Sequence, residues 1–152
     1  MDQDTVVNEQ IESGKRLIDK LNDEGFEVQV AFWTRLADEE KWYLYLASPF
    51  VDENGPKAAY RRVFDAMRKM TDVCIDPFEV RVIGANDSLT QGALSVTKPK
   101  VPDSPFAVPN PKRYSGMTRF GGSTLGGVSI VGAYIYIHTV HVKAIHPHAS
   151  VI

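Results

Sequence analysis

The first part of the chain alternates between helical and extended patterns of hydrophobic residues. Over residues 4–23 a three-to-four spacing predicts one buried helix stripe, made of Val7, Ile11, Gly14, Ile18 and Leu21. Residues 26–33 alternate instead, which predicts a half-buried strand with Phe26, Val28, Val30 and Phe32 on one face. A second alternating run follows over residues 42–47, after a short charged segment. The two runs therefore predict an antiparallel hairpin.

A second amphipathic segment covers residues 56–70 and predicts a second helix. Pro56 suits the first turn of a helix, because its missing N–H has no partner there. The predicted apolar stripe consists of Tyr60, Val63, Phe64, Met67 and Met70. Residues 78–84 alternate again and predict a third strand, and residues 86–96 are compatible with a short helix.

The composition changes after residue 96. Residues 98–113 contain five of the chain's nine prolines, and a glycine-rich stretch follows. Proline removes backbone donors, so we predict a long loop over about 97–127. The apolar run from Val128 onward predicts a last strand, bent or bulged at Gly132 because an interior glycine usually meets a backbone requirement. Residues 143–152 are expected to be a loose tail.

These elements predict one α+β domain over residues 1–152. Their order is α-β-β-α-β, a long loop and then β, with two main helices and a mostly antiparallel sheet. A chain of 152 residues is long enough to bury a substantial core of that kind.

Charge and cysteine content narrow the classes of function. With 17 basic and 19 acidic side chains the formal net charge is −2, which argues against general nucleic-acid binding. Cys74 is the only cysteine, so no internal disulfide forms and a cytoplasmic protein is expected. The longest apolar stretch, residues 128–137, is too short for a membrane helix, and no membrane partner is expected.

The glycine-rich stretch raises the question of a nucleotide site, because Gly116, Gly121 and Gly122 precede Ser123. A phosphate-binding loop needs a lysine directly before its serine, and here that position is Gly122. It also needs a helix to follow, whereas a strand-like run follows here. We therefore expect no nucleotide and no other cofactor, and we predict tight turns or a β-bulge at these glycines.

Other chemical signals are weaker. Glu39, Glu40 and Lys41 match a fragment found in metal-dependent nucleases, but a neighbouring acidic strand residue is missing, so we predict a solvated hairpin loop. The histidines at 138, 141, 146 and 148 crowd the end of the chain. Because 138 and 141 alternate faces on a strand, we predict no functional metal site.

Two groups of basic residues are candidates for binding a polyanion. The first is the polar face of the second helix, which we interpret as a solvated face made of Lys57, Arg61, Arg62, Arg68 and Lys69. The second lies in and beside the predicted loop and consists of Lys98, Lys100, Lys112, Arg113, Tyr114 and Arg119. Cations with an interleaved aromatic ring could hold phosphate or single-stranded RNA, although an ordinary surface loop has the same composition.

Residues 14–33 and 48–67 together resemble a group of small uncharacterised bacterial proteins. The shared features are a leading helix, a Gly-Phe entry to a strand and a Gly-Pro entry to a second helix, as in Gly25-Phe26 and Gly55-Pro56. The resemblance implies a bacterial cytoplasmic protein and no particular activity.

The leading functional hypothesis is a small non-enzymatic binding protein that acts through a protein partner or through self-association as a homo-oligomer. It depends on the missing catalytic pattern and on the long apolar last strand, which must be covered or paired. The alternative is an RNA-binding protein or a metal-independent ribonuclease that uses the basic, glycine-rich loop.

Overall fold

The computed structural model describes residues 8–71, 75–96 and 113–139. Its helices are α1 (Asn8–Asp23), α2 (Pro49–Asn54), α3 (Pro56–Arg68) and α4 (Ser88–Val96). Its strands are β1 (Val30–Leu36), β2 (Tyr43–Ser48), β3 (Val80–Gly84), β4 (Arg113–Phe120), β5 (Thr124–Leu125) and β6 (Val128–Thr139). A 3-10 turn, Pro77–Glu79, precedes β3.

The strands form a mixed sheet in the order β3-β2-β1-β6-β4, with β5 paired to β6. Among the described strands, only the β2–β3 pair is parallel, and the other neighbouring pairs are antiparallel. The predicted α+β class with a mostly antiparallel sheet is therefore confirmed, and α1 and α3 are the two longest described helices. No described helix is both long enough and apolar enough to cross a bilayer.

Strand β1 is buried on both faces, because helices cover both sides of the sheet. Ala31 and Trp33 pack into the core under α1 and α3, whereas Val30 and Phe32 pack into a second core with α4. The predicted half-buried strand over residues 26–33 is thus wrong in two respects. The strand begins at Val30, and Phe26 and Val28 lie in the α1–α3 core, opposite to Val30 and Phe32.

The alternation breaks because residues 26–28 are hydrogen-bonded to the C-terminal end of α1 and are not part of the sheet. The Phe26 N–H donates to the Leu21 carbonyl at 2.8 Å, and the Val28 N–H donates to the Asn22 side chain at 3.0 Å. These bonds fold the segment back over the helix end before Gln29 reaches β2. A period-2 pattern read across that turn therefore assigns the wrong face.

A chain of buried hydrogen bonds fastens α1 to the sheet. The indole Nε1–H of Trp33 donates to the Tyr136 hydroxyl at 3.0 Å, and that hydroxyl donates to the Ile11 carbonyl at 2.7 Å. Burial raises the pKa of Tyr136 well above its usual value near 10. Gly14 allows this arrangement, because a Cβ there would collide with the same hydroxyl.

The glycine-rich stretch forms strands and a hairpin. The predicted loop over about 97–127 is wrong for residues 113–120 and 124–125, which form β4 and β5; residues 97–112 lie outside the described residues. Gly126 and Gly127 have φ values of 60° and 84° and join Leu125 to Val128, as the two-residue turn of a type I′ hairpin requires. The prediction of tight turns or a bulge named Gly116, Gly121 and Gly122; the hairpin turn lies instead at Gly126 and Gly127, whereas the register of β4 shifts across Gly116, between Tyr114 and Met117.

The last strand carries the irregularity predicted at Gly132. Arg35 pairs with Gly132 and Leu36 with Ile130, so β6 has one extra residue opposite β1 at that point. A second register shift separates Tyr114 from Met117 in β4. The predicted tail, residues 143–152, lies outside the described part of the chain.

Helix α4 lies directly against the β5–β6 hairpin. A Cβ on Gly92 would meet the backbone of Gly126 and, at 2.9 Å, the carbonyl carbon of Leu125. The helix backbone and the turn backbone thus touch without side chains between them, and this contact closes one side of the second core.

We expect Tyr136→Phe to lower the free energy of unfolding by about 1–3 kcal/mol, because Trp33 and Ile11 each lose a buried hydrogen-bond partner. Urea unfolding measures the loss. Tyr134→Phe on the same strand is the control and should change stability by less than about 0.5 kcal/mol. Equal effects of the two variants would contradict the role given to the buried hydroxyl.

Gly92→Ala is expected to destabilise the protein by about 1–3 kcal/mol, although alanine is normally the better helix former, because its methyl group must displace backbone and not a flexible side chain. Gly121→Ala is the matched control, since nothing lies within 4 Å of a Cβ at that position. Thermal unfolding of both variants gives the comparison. Stabilisation by Gly92→Ala would show that α4 and the hairpin separate easily.

Candidate binding groove beside helix α3

Helix α3 covers the sheet with one face and leaves an apolar flank beside it. Gly55, at φ 88°, ends α2, and Pro56 starts α3 in the next position. The residues that α3 buries fully are Ala59, Val63, Ala66 and Met67. Tyr60 and Phe64 are only partly buried and lie with their ring centroids 5.6 Å apart. The predicted stripe therefore contains both core residues and the wall of a groove.

The apolar half of this groove has a volume of about 430 Å³. Met67 and Ile75, both nearly buried, belong to the core beneath it, and Phe64 and Met70 are the partly buried lining. The complete lining is Phe64, Met67, Arg68, Met70, Ile75, Pro77 and Phe78. This groove is mainly apolar and opens to solvent at the edge where Pro77 and Phe78 are exposed.

A second depression of similar volume continues along α3 and is basic. It is lined by Lys57, Tyr60, Arg61, Phe64, Asp65 and Arg68, so it shares Phe64 and Arg68 with the apolar half. Arg68 forms an ion pair with Asp65, one helical turn away. Three cations and one carboxylate give this half a net positive charge. We call the two halves together the α3 groove.

Tyr60 also connects the groove to the edge of the sheet. Its hydroxyl accepts a hydrogen bond from the Val82 N–H of β3 at 3.1 Å. A little further along, the Asp52 carboxylate of α2 accepts from the Ala85 N–H at 2.7 Å. These contacts hold α2 and α3 against the outer edge of β3, which fixes the groove relative to the strand.

The Pro77–Glu79 turn holds the most exposed large apolar side chain of the described residues. Phe78 is 88% exposed. The Asp76 carboxylate accepts from the Phe78 N–H at 2.9 Å, and the Glu79 carboxylate accepts from the Asp76 N–H at 3.3 Å. This capping box, with Pro77 at the first position, fixes the turn and points Phe78 outward. An exposed aromatic ring on an ordered turn, flanked by two carboxylates, is typical of a contact residue.

Sequence reasoning placed Phe78 at the start of the third strand and so missed the groove. The sequence does contain a signal for the turn, because Pro77 directly follows Asp76 and Glu79 lies three residues after Asp76. That spacing is the pattern of a capping box. The interpretation of the basic helix face also needs correction. Arg62 is not solvated but stacks over the rings of Phe26 and Phe50 and donates to the Glu24 carbonyl.

Of the six residues predicted to bind phosphate or RNA, the structure describes the side chain of Arg119 alone. Arg119 is exposed on β4, with its guanidinium 5.7 Å from the centre of the Tyr134 ring. Tyr134 in turn contacts Trp42, with ring centroids 5.5 Å apart. Arg113 and Tyr114 lie in β4, where only their backbone is described, and Lys98, Lys100 and Lys112 lie outside the described residues.

The predicted hairpin loop is present, with Glu40 and Lys41 exposed, but Glu39 is not simply solvated, because its carboxylate forms a half-buried ion pair. Arg81 of β3 donates to both carboxylate oxygens of Glu39, at 3.1 and 2.9 Å, and to the Tyr45 hydroxyl at 2.7 Å. Its guanidinium also lies 3.7 Å from the centre of the Tyr43 ring. Burial raises the pKa of Tyr45 despite this cation. The cluster attaches the β1–β2 turn to β3 and uses most of the donors of Arg81.

The remaining signals do not form a site within the described residues. No group of three or more His, Cys, Asp or Glu side chains that could hold a metal ion occurs in residues 8–71, 75–96 and 113–139. Cys74, His141, His146 and His148 lie outside these ranges, and at His138 only the backbone is described.

Comparison of the chain with protein-family models, with curated proteins and with solved structures finds no match. The α3 groove and the Phe78 turn are therefore interpreted from their geometry. An apolar hollow beside a basic one can accept a large apolar side chain whose neighbours carry negative charge, because the two halves meet at Phe64 and Arg68.

Proposed function

We propose that this protein is a non-enzymatic binding protein that docks a polypeptide in the α3 groove. The bound segment presents a large apolar side chain to the half lined by Phe64, Met67 and Met70, and acidic residues to Lys57 and Arg61. The observation that carries the proposal is the direct continuity of an apolar hollow with a basic one on a single helix flank. The single cysteine of the chain is consistent with the further expectation of a cytoplasmic protein.

The apolar half supplies affinity and the basic half supplies selectivity in this proposal. An aromatic ring transferred from water into the apolar half loses its solvent-exposed area, which favours binding by about 1.5–3 kcal/mol. Exposed lysine and arginine side chains contribute less to affinity but favour acidic partners and disfavour basic ones. The helix flank is built on packed core residues, so little ordering is needed on the protein's side.

The proposal predicts how short peptides discriminate. We expect a pentapeptide Gly-Asp-Phe-Glu-Gly to shift backbone amide signals of α3 and of the Pro77–Glu79 turn in an NMR titration. Replacing its Phe by Ala should weaken binding by about tenfold or more, the equivalent of burying one aromatic ring. Replacing both acidic residues by Lys should weaken binding as well, because the positive charges of Lys57, Arg61 and Arg68 would repel the lysines of the peptide.

Variants of the protein locate the contact. Arg61→Glu should weaken the acidic peptide and strengthen the lysine peptide, since Arg61 is exposed in the basic half. Lys15→Glu on α1, outside the α3 groove, is the control and should change neither. Binding of the Phe and Ala peptides with the same affinity, or signals that shift only outside α3 and the turn, would contradict docking in the groove.

RNA binding is the second candidate function, and one observation favours it. Arg119 lies over the Tyr134 ring, and Tyr134 contacts Trp42, so a cation and two aromatic rings lie together on one face of the sheet. Single-stranded RNA is held by such groups through phosphate contacts and base stacking. The formal net charge of −2 limits this candidate to a local contact.

For RNA, a filter-binding titration with a single-stranded oligonucleotide at two salt concentrations separates the candidates. A specific site predicts submicromolar affinity that falls steeply with salt and that Arg119→Ala reduces by at least about tenfold, with Lys57→Ala as the surface control. If the groove is the main functional site, wild-type affinity should stay near 10⁻⁴–10⁻⁶ M, the non-specific range, and Arg119→Ala should have no larger effect than the control.

A further inference from the structure

We infer that the polypeptide bound in the α3 groove is the Pro77–Glu79 turn of a second copy of this chain. This inference rests on the proposed function and names its partner. The required ligand is a large apolar side chain between acidic residues, and residues 76–79 of the chain read Asp-Pro-Phe-Glu. Phe78 in that sequence is 88% exposed on the surface of the folded protein.

The turn is already in a conformation that can bind. Its capping box uses the carboxylates of Asp76 and Glu79 to accept backbone N–H groups, and Pro77 restricts the backbone further. A preorganised turn loses little conformational entropy when its side chain is buried. An aromatic side chain in a fixed, solvent-exposed position is also the usual anchor residue of a protein interface.

The positions of the turn and the groove allow the contact to be reciprocal. Phe78 lies on the rim of its own groove, next to the apolar half. A two-fold axis through the apolar half of the groove brings the Phe78 of each copy to the groove of the other, so both contacts form together and the assembly closes as a dimer. The two exposed apolar surfaces are then covered in one step.

Charge supports the same arrangement. One end of the surface carries the acidic pair Asp76 and Glu79, the other end carries Lys57 and Arg61, and Arg68 lies where the two halves of the groove meet. Rotation about a two-fold axis at the middle places the acidic end of one copy opposite the basic end of the other. Opposite charges then face each other at both ends, which favours this register over others.

The contact is small, so the expected dimer is weak. Its apolar part consists of two aromatic rings and the walls of two grooves, less than the roughly 1,000 Å² that stable interfaces bury. We expect a dissociation constant of roughly 10⁻⁵–10⁻³ M, which puts the monomer–dimer equilibrium within reach of changes in protein concentration.

Sedimentation equilibrium of the full chain over roughly 10 μM to 1 mM tests the inference. Wild type should show a monomer–dimer equilibrium, and Phe78→Ala should raise the dissociation constant by at least about tenfold. Phe78 is exposed, so this variant should unfold in urea at nearly the wild-type midpoint. The matched control is Val131→Ala on β6, the other exposed large apolar residue of the described chain, which should leave the dimer unchanged.

A competition experiment separates this inference from the proposed function. The peptide Gly-Asp-Phe-Glu-Gly should dissociate the wild-type dimer, and Arg61→Glu should weaken dimer and peptide together. A chain that stays monomeric at 1 mM while the peptide shifts the groove signals overturns the second copy as partner and leaves the groove's function standing. A dimer that Phe78→Ala and the peptide do not affect overturns the inference, and the absence of both binding events overturns both proposals.

Discussion

The structure depends on a central strand that is buried on both of its faces. Val30 and Phe32 of β1 must be covered by α4 and the hairpin, and Ala31 and Trp33 by α1 and α3. One uncovered face would expose a row of apolar side chains, so the helices on both sides are necessary for a stable sheet. The bond from Trp33 through Tyr136 to Ile11 fixes the position of α1 in this arrangement, because each buried polar group has its partner only in that position.

This packing explains why helix α3 leaves a partly exposed apolar flank. Its buried residues, Ala59, Val63, Ala66 and Met67, are small or flexible and bring the helix close to the sheet. The larger Tyr60 and Phe64 are only partly buried and line the groove, and the Tyr60 hydroxyl reaches the Val82 N–H of β3. The apolar stripe of α3 is wider than the surface that it covers, and the uncovered part of the stripe forms the wall of the groove.

The sequence predicted the class of the fold well, because periodicity reports burial. The α1 and α3 stripes appear in the structure close to the predicted residues, and the β1–β2 hairpin is present, although β1 covers Val30–Leu36 and not residues 26–33. The prediction from periodicity was wrong where local hydrogen bonds determine the backbone. At the end of α1 the Leu21 carbonyl accepts from the Phe26 N–H and the Asn22 side chain accepts from the Val28 N–H, which keeps both residues out of the sheet. The long loop predicted from proline and glycine content was wrong at β4 and β5 for a similar reason. These strands obtain their stability from pairing with β6 and not from their own composition.

The candidate site was less predictable than the fold, although its lining residues all lie between Lys57 and Phe78, because the exposure of each side chain depends on tertiary contacts. The alternating pattern of residues 78–84 made Phe78 look like a strand residue, and the capping-box spacing of Asp76 and Glu79, which marks the turn, was not recognised. Arg62 and Arg68 look equivalent in the sequence, but Arg62 stacks on buried rings, whereas Arg68 lines the groove. Tertiary contacts decide which cation faces solvent, and no local pattern contains them.

The hydrogen bonds to Tyr60 and Asp52 also cover the outer side of β3. They occupy the Val82 N–H within the strand and the Ala85 N–H just beyond its end, so fewer backbone donors are left to pair with a strand from another molecule. At high protein concentration, molecules that meet at the β3 edge should therefore associate through discrete contacts between side chains. They should not extend one another's sheets into fibrils.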